Sequence, residues 1–204
     1  MKIRLQQITK QFGQHILFRN VDAEFIQGNS YALTGANGSG KSTLLQIMAG
    51  YVLPTEGVIE IERENKKIEP EQWYKHIAMA TPYLELIEEL TLSEMVELHH
   101  AMKPLLFSPK ELITSIQLEH AAHKPVRYFS SGMKQKLKLA LALFSDAPIL
   151  LLDEPTANLD ATNTTWYQQQ ILRFTSQKLI VIASNDSKEY DFCQQIIHVS
   201  NYKN

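Results

Sequence analysis

The sequence predicts an α/β fold: a mostly parallel sheet flanked by helices, with a helical stretch inserted between its strands. Three observations carry this expectation. A glycine-rich turn at residues 35–40 joins an apolar strand pattern to an apolar helix pattern. The run Ile149-Leu150-Leu151-Leu152 is apolar without alternation, as a strand buried on both faces must be, and such strands belong to parallel sheets covered by helices. Strand and helix patterns alternate toward the C-terminus, whereas from about 85 to 145 the periodicity is helical.

The elements follow in order. Residues 2–9 and 21–26 alternate like half-buried strands, and Gln27-Gly28-Asn29 turns the chain into a buried strand, Tyr31–Thr34. Leu44, Leu45, Ile47 and Met48 mark the helix after the glycine turn, and Ala49-Gly50 closes it. Pro54–Gly57 makes a turn into a short strand, Val58–Glu62. The polar run Arg63–Glu71 reads as an exposed loop, and Ile77–Ala80 as another buried strand. Thr91-Leu92-Ser93-Glu94 and Ser108-Pro109-Lys110-Glu111 each fit a capping box, so two helices start there. A long helix is expected from Lys134 to about Phe144, and another from about Ala161 to Phe174. A strand Leu179–Ala183, a short helix near Ser187–Phe192 and a last strand Gln195–Val199 complete the pattern, so residues 1–204 read as one unit.

A length of 204 residues supports a sizeable core, and a net charge of −2 leaves no basic footprint for nucleic acid and no polybasic membrane tether. The single cysteine, Cys193, excludes an internal disulfide and fits a reducing compartment. The first residues lack a signal peptide's apolar core, and the apolar runs are too short to span a bilayer. A cytoplasmic protein is expected.

The chemistry is concentrated in Gly35-Ala36-Asn37-Gly38-Ser39-Gly40-Lys41-Ser42-Thr43, which fits G-x-x-x-x-G-K-[ST], the phosphate-binding loop. Glycines let the backbone curl so that successive N–H groups point inward at the positive end of a helix. Lys41 then reaches β- and γ-phosphates, and Ser42 ligates magnesium. Asp153 and Glu154 end an apolar strand, at the edge where parallel sheets bind ligands; Asp153 suits the metal and Glu154 suits a water. Ser130-Ser131-Gly132, at a helix start, is a second candidate anion site, although alone it reads as a cap. Phe12, an aromatic beside Gly13, suits either the core or an adenine ring, and by itself reads as core. His99, His100, His120 and His123 lack metal-ligand spacing and read as surface histidines.

Taken together, these residues resemble the ATP-binding cassette (ABC) ATPases, the nucleotide-binding subunits of ABC transporters, and the resemblance covers the whole chain. It implies a P-loop NTPase core of a mostly parallel sheet flanked by helices, with an N-terminal antiparallel β portion and an inserted α-helical subdomain, and with ATP and Mg2+ as ligands. Phe12 then stands as the aromatic A-loop, residues 35–43 as Walker A, Phe129–Met133 at the Leu-Ser-Gly-Gly-Gln signature, residues 149–154 as Walker B with its catalytic glutamate, and Ala157–Asp160 as the D-loop. The resemblance implies a homodimer, or a heterodimer with another such subunit, packed head to tail. Ser130, Ser131 and Gly132 of one subunit meet the nucleotide held by the other. It also implies transmembrane permease subunits as partners, no nucleic acid, and peripheral attachment to the cytoplasmic face of the membrane. Residues 83–90 lie where such a motor meets its membrane subunit, with Tyr83 and Leu86 as apolar contacts. Ser131 and Met133 depart from the signature, no glutamine follows Ile77–Ala80 in Thr81–Leu86, and Asn185 stands at the switch histidine. These last two departures keep a weakly hydrolysing regulator open as an alternative, beside a soluble ABC ATPase without a transport role.

Overall fold

The structure, a computed structural model, describes residues 1–203. The first two strands, β1 (Lys2–Phe12) and β2 (His15–Ile26), are longer than the alternation indicated and form one hairpin turning at Gly13-Gln14. The chain continues through β3 (Ser30–Thr34), α1 (Lys41–Met48), β4 (Glu56–Arg63) and β5 (Lys66–Ile68). The polar stretch expected to be a loop is therefore a second hairpin. Glu64 and Asn65 both take positive φ, the geometry of a two-residue hairpin turn, and Pro70–Lys75 adds a 3-10 turn that buries Trp73.

After β6 (Ile77–Ala80) come α2 (Leu92–Met102) and α3 (Pro109–Ser115), each opened by the capping box read from the sequence. Next is α4 (Ser131–Leu143), which begins earlier than expected because Ser130 caps it. The chain ends with β7 (Ile149–Asp153), α5 (Ala161–Leu172), β8 (Leu179–Ala183) and β9 (Gln195–His198). The short helix before β9 is only a 3-10 turn, Ser187–Glu189.

Two sheets result. One is antiparallel, in the order β2-β1-β4-β5; the other is parallel, in the order β6-β7-β8-β3-β9. Alternation along the parallel strands sorts their side chains between two cores. Ile149, Leu151, Leu179 and Val181 face α1 and the antiparallel sheet, packing with Leu44, Ile47, Phe18 and Phe25. Leu150, Leu152, Ile180 and Ile182 face the helices, packing with Val96, Leu112, Leu137 and Tyr167. Burying both faces is what forbade polar alternation in β7 and β8.

Candidate functional site

Register builds the site. Asp153 pairs with Ala183, and Leu33 also pairs with Ala183, so the neighbours β7, β8 and β3 end at one level. The loops beyond them, 154–160, 184–186 and 35–40, open side by side at the carboxyl edge of the sheet, where α/β folds hold ligands.

In the loop after β3, Gly35 and Gly40 have φ values of +142 and +98. A Cβ on Gly40 would come within 2.7 Å of the Phe18 ring, and one on Gly35 within 2.6 Å of Ser200 Oγ. The tight curl is therefore enforced by packing from behind. Lys41 is 6% exposed, and its ammonium donates to the carbonyls of Gly35 at 2.8 Å and Ala36 at 3.4 Å. Ser39 Oγ is buried without a hydrogen-bond partner among the described residues, a polar atom that a phosphate oxygen would satisfy. Ala36, Asn37 and Gly38 are exposed on the loop, and Thr43 follows in the first turn of α1.

Ser42 Oγ donates to Asp153 Oδ1 at 2.9 Å. Asp153 is 2% exposed, and burial pushes its carboxyl up to about 6, opposed by the Ser42 hydrogen bond and aided by nearby Glu154. Two hard oxygens in contact beside a phosphate loop suit Mg2+, which keeps several waters and needs few protein ligands. Glu154 is exposed with φ +42, its N–H held by Ala183 O at 2.9 Å. Asn185 Nδ2 donates to Asn37 Oδ1 at 2.9 Å, so the loop after β8 reaches across to the phosphate loop.

The other expected residues stand apart. Ser130, the N-cap of α4, Ser131 and Gly132 line a groove of about 560 Å³ with Asn158 and Asp160. Among the described residues they share no hydrogen bond with residues 35–43. Phe12, taken alone, reads as core, but the structure places it 54% exposed beside the hairpin turn, with the Lys10 ammonium 4.6 Å above its ring. Of the histidines read as surface residues, His100, His120 and His123 are exposed, His100 Nδ1 accepting the Leu105 N–H, whereas His99 is half-buried with its Nε2 2.9 Å from Ser145 Oγ. Leu86, expected at a contact surface, is buried at 7%, whereas Tyr83 is 77% exposed.

Two polar residues at the site escaped sequence reading. Gln135 is 4% exposed and donates from Nε2 to Pro155 O at 2.9 Å; its place four residues before Leu139, on the apolar side of α4, was the signal. Glu189 is 3% exposed and accepts from Thr156. It lies in a run with Asp186 and Asp191 that reads as solvated, and nothing in the sequence set it apart.

The fold and this edge define a nucleotide-binding P-loop cassette. A protein-family model described as "ABC transporter" matches residues 18–157, so the chain belongs to the ABC transporter family and is an ABC-type ATP-binding protein. The lantibiotic transport ATP-binding protein SrtF of Streptococcus pyogenes is 30% identical, over 90% of this chain and 79% of that protein. The lipoprotein-releasing system ATP-binding protein LolD of Bacteroides fragilis is 31% identical, over 97% of each. Among solved structures, the dimeric post-hydrolysis state of the ATP-binding cassette MJ0796 bound to ADP and Pi matches with a TM-score of 0.82. It is 27% identical, covering 96% of this chain and 93% of that one.

Proposed function

We propose that this protein is the ATP-hydrolysing motor subunit of an ABC transporter, working as a head-to-tail dimer that drives separately encoded membrane subunits. One observation carries the reading. Residues 35–43, Asp153, Glu154 and Asn185 converge on one edge, while Ser130–Gly132 line a separate groove with no bond to that loop. A second anion-binding helix start has a use when a partner copy presents its nucleotide there. Among the described residues no helix is long and apolar enough to cross a membrane.

Within this reading, the inward N–H groups of residues 35–43 and Lys41 hold the phosphates, and the exposed ring of Phe12 stacks on adenine. Ser42 and Asp153 would hold Mg2+, which when bound would offset charge on the transferring phosphoryl group. Glu154 orients the attacking water and takes its proton, and Asn185 donates toward the γ-phosphate. Ser130 Oγ and the Gly132 N–H of the partner copy meet that phosphate from the other side. Glu154→Gln keeps size and hydrogen bonding but removes the base, so hydrolysis is expected to fall by about two to four orders of magnitude, and nucleotide-bound dimer accumulates. Size-exclusion chromatography of this variant in Mg-ATP tests the proposal; a purely monomeric profile would refute the dimer. The alternative of a weakly hydrolysing regulator draws on Asn185, which lacks the charge of an imidazolium. Steady-state phosphate release above the Glu154→Gln level would set it aside.

A further inference from the structure

The turn that carries Glu154 is held from two directions by buried polar side chains. A φ of +42 at Glu154 is a strained conformation for a residue with a Cβ, and it persists only where neighbours hold it. From the α4 side, Gln135 bonds to Pro155 O. From the β8 side, Glu189 Oε1 accepts both the Thr156 N–H, at 2.6 Å, and the Thr156 hydroxyl. Glu189 is itself anchored, its main-chain carbonyl accepting from the Tyr167 hydroxyl at 3.0 Å. Its second oxygen is buried without a hydrogen-bond partner among the described residues.

Burying a carboxylate is costly, and here its hydrogen bonds go to one threonine two residues beyond Glu154. Glu189 also follows Asn185 by only four residues, so the same short segment that brings Asn185 to the phosphate loop clamps the turn of Glu154. An apolar side chain would fill the position without the desolvation cost, and it would leave Thr156 unheld.

We propose that Glu189 is a positioning residue for hydrolysis: it fixes the backbone at Thr156 and thereby aims the Glu154 carboxylate at the attacking water. This rests on Glu154 as the hydrolytic carboxylate, as proposed above. The test is single-turnover Mg-ATP hydrolysis and nucleotide affinity in wild type, Glu189→Ala, Glu189→Gln, Glu154→Gln and the Glu154→Gln/Glu189→Ala double variant. Glu189→Ala is expected to slow hydrolysis about 10- to 100-fold while changing affinity less than about threefold, the split that marks lost transition-state alignment. Glu189→Gln keeps an Oε1 acceptor for Thr156 and places its nitrogen where the second oxygen makes no bond. It is expected within about fivefold of wild type.

The double variant decides whether Glu189 acts through Glu154: residues working as a unit are non-additive, so it is expected to match Glu154→Gln alone. Should Glu189→Ala fail to fold, Thr156→Val removes the hydroxyl donor and takes its place in the same cycle. Wild-type speed in Glu189→Ala, or a further multiplied loss on top of Glu154→Gln, overturns this proposal and leaves Glu154 in its role. A wild-type rate no higher than Glu154→Gln overturns the hydrolytic reading, and the role of Glu189 falls with it.

Discussion

Replacing Asn185 tests the site at its least conventional point. Its amide donates 2.9 Å to Asn37 Oδ1 across the mouth of the phosphate loop, and both residues are exposed. An amide carries two N–H groups, so one remains for the γ-phosphate while the other holds Asn37. Two limits bound the cost of Asn185→Ala. If water takes over the lost donor, as at an exposed position, the loss is about 1 kcal/mol, or roughly fivefold in rate. If the dimer shuts water out, a donor aimed at the developing charge is worth about 3 kcal/mol, or roughly two orders of magnitude. A fall of about 5- to 100-fold in single-turnover Mg-ATP hydrolysis is therefore expected, and its size reports how dry the closed site is. Asn185→His restores a longer donor that is charged when protonated and is expected to exceed wild type. Asn37→Ala removes only the tether and is expected to cost less than Asn185→Ala. Equal rates for wild type and Asn185→Ala would refute the reasoning, because the bridge to Asn37 would then be a surface contact without a catalytic share.

Three further outcomes follow from particular contacts. Gly38 and Gly40 both have positive φ, but a Cβ at Gly38 meets nothing within 4 Å whereas one at Gly40 strikes the Phe18 and Leu17 side chains. Thermal melting is expected to show Gly38→Ala losing about 1 kcal/mol to strain and Gly40→Ala about 3 kcal/mol; equal losses would contradict the packing described. Burial, with help from Lys103 and His100, pulls the His99 imidazole down to about 4, so the fold holds it neutral while the unfolded chain takes up a proton below about 6.5. Stability is therefore expected to drop as pH falls from about 6.5 toward 4, by about 1–2 kcal/mol after allowing for the exposed edge of the ring. Burial raises Asp153 to about 6 and acts with the opposite sign over the same window. The check is accordingly the difference in melting between wild type and His99→Gln, and parallel pH curves would count against it. Last, Met102, 76% exposed, lines a groove of about 320 Å³ with Met79, Leu84, Met95 and Leu141, and Tyr83, 77% exposed, directly precedes Leu84 in the chain. On the proposed attachment through membrane subunits, Tyr83→Asp with Met102→Asp is expected to release the protein from membranes with ATP binding intact, and unchanged membrane fractionation would exclude this surface.

Legibility followed the range of the forces involved. The phosphate loop, the apolar β7 and the capping boxes could be read because each is fixed by residues next to one another in sequence. The same holds for Ser42 and Asp153 as candidates, since their motifs name them, although the 2.9 Å contact between them depends on strand register. What stayed hidden depended on partners far along the chain. The β4–β5 hairpin turns on Glu64-Asn65 without glycine, so local turn signals were weak. Phe12 is exposed because the β1–β2 turn projects it beyond the sheet, which aromatic burial statistics cannot foresee. Leu86 looked like a surface anchor beside acids, yet it closes the core under α2.

Gln135 and Glu189 show why the remainder was out of reach, and also what the hidden part does. Each is a polar residue whose function is set by a main-chain group of the 154–156 turn, and neither spacing nor composition encodes that partner. Gln135 lies on α4, whose first turn carries Ser130, Ser131 and Gly132. This helix thus joins the groove at its N-terminus to the carbonyl next to Glu154. Gln135 ties α4 to the turn of Glu154, while Glu189 holds the same turn to the segment of Asn185. The turn of Glu154 is in this way held to both the helical insert and the parallel sheet. In the proposed head-to-tail dimer, a partner seated at Ser130 would therefore rest on the helix that bonds to the turn of Glu154.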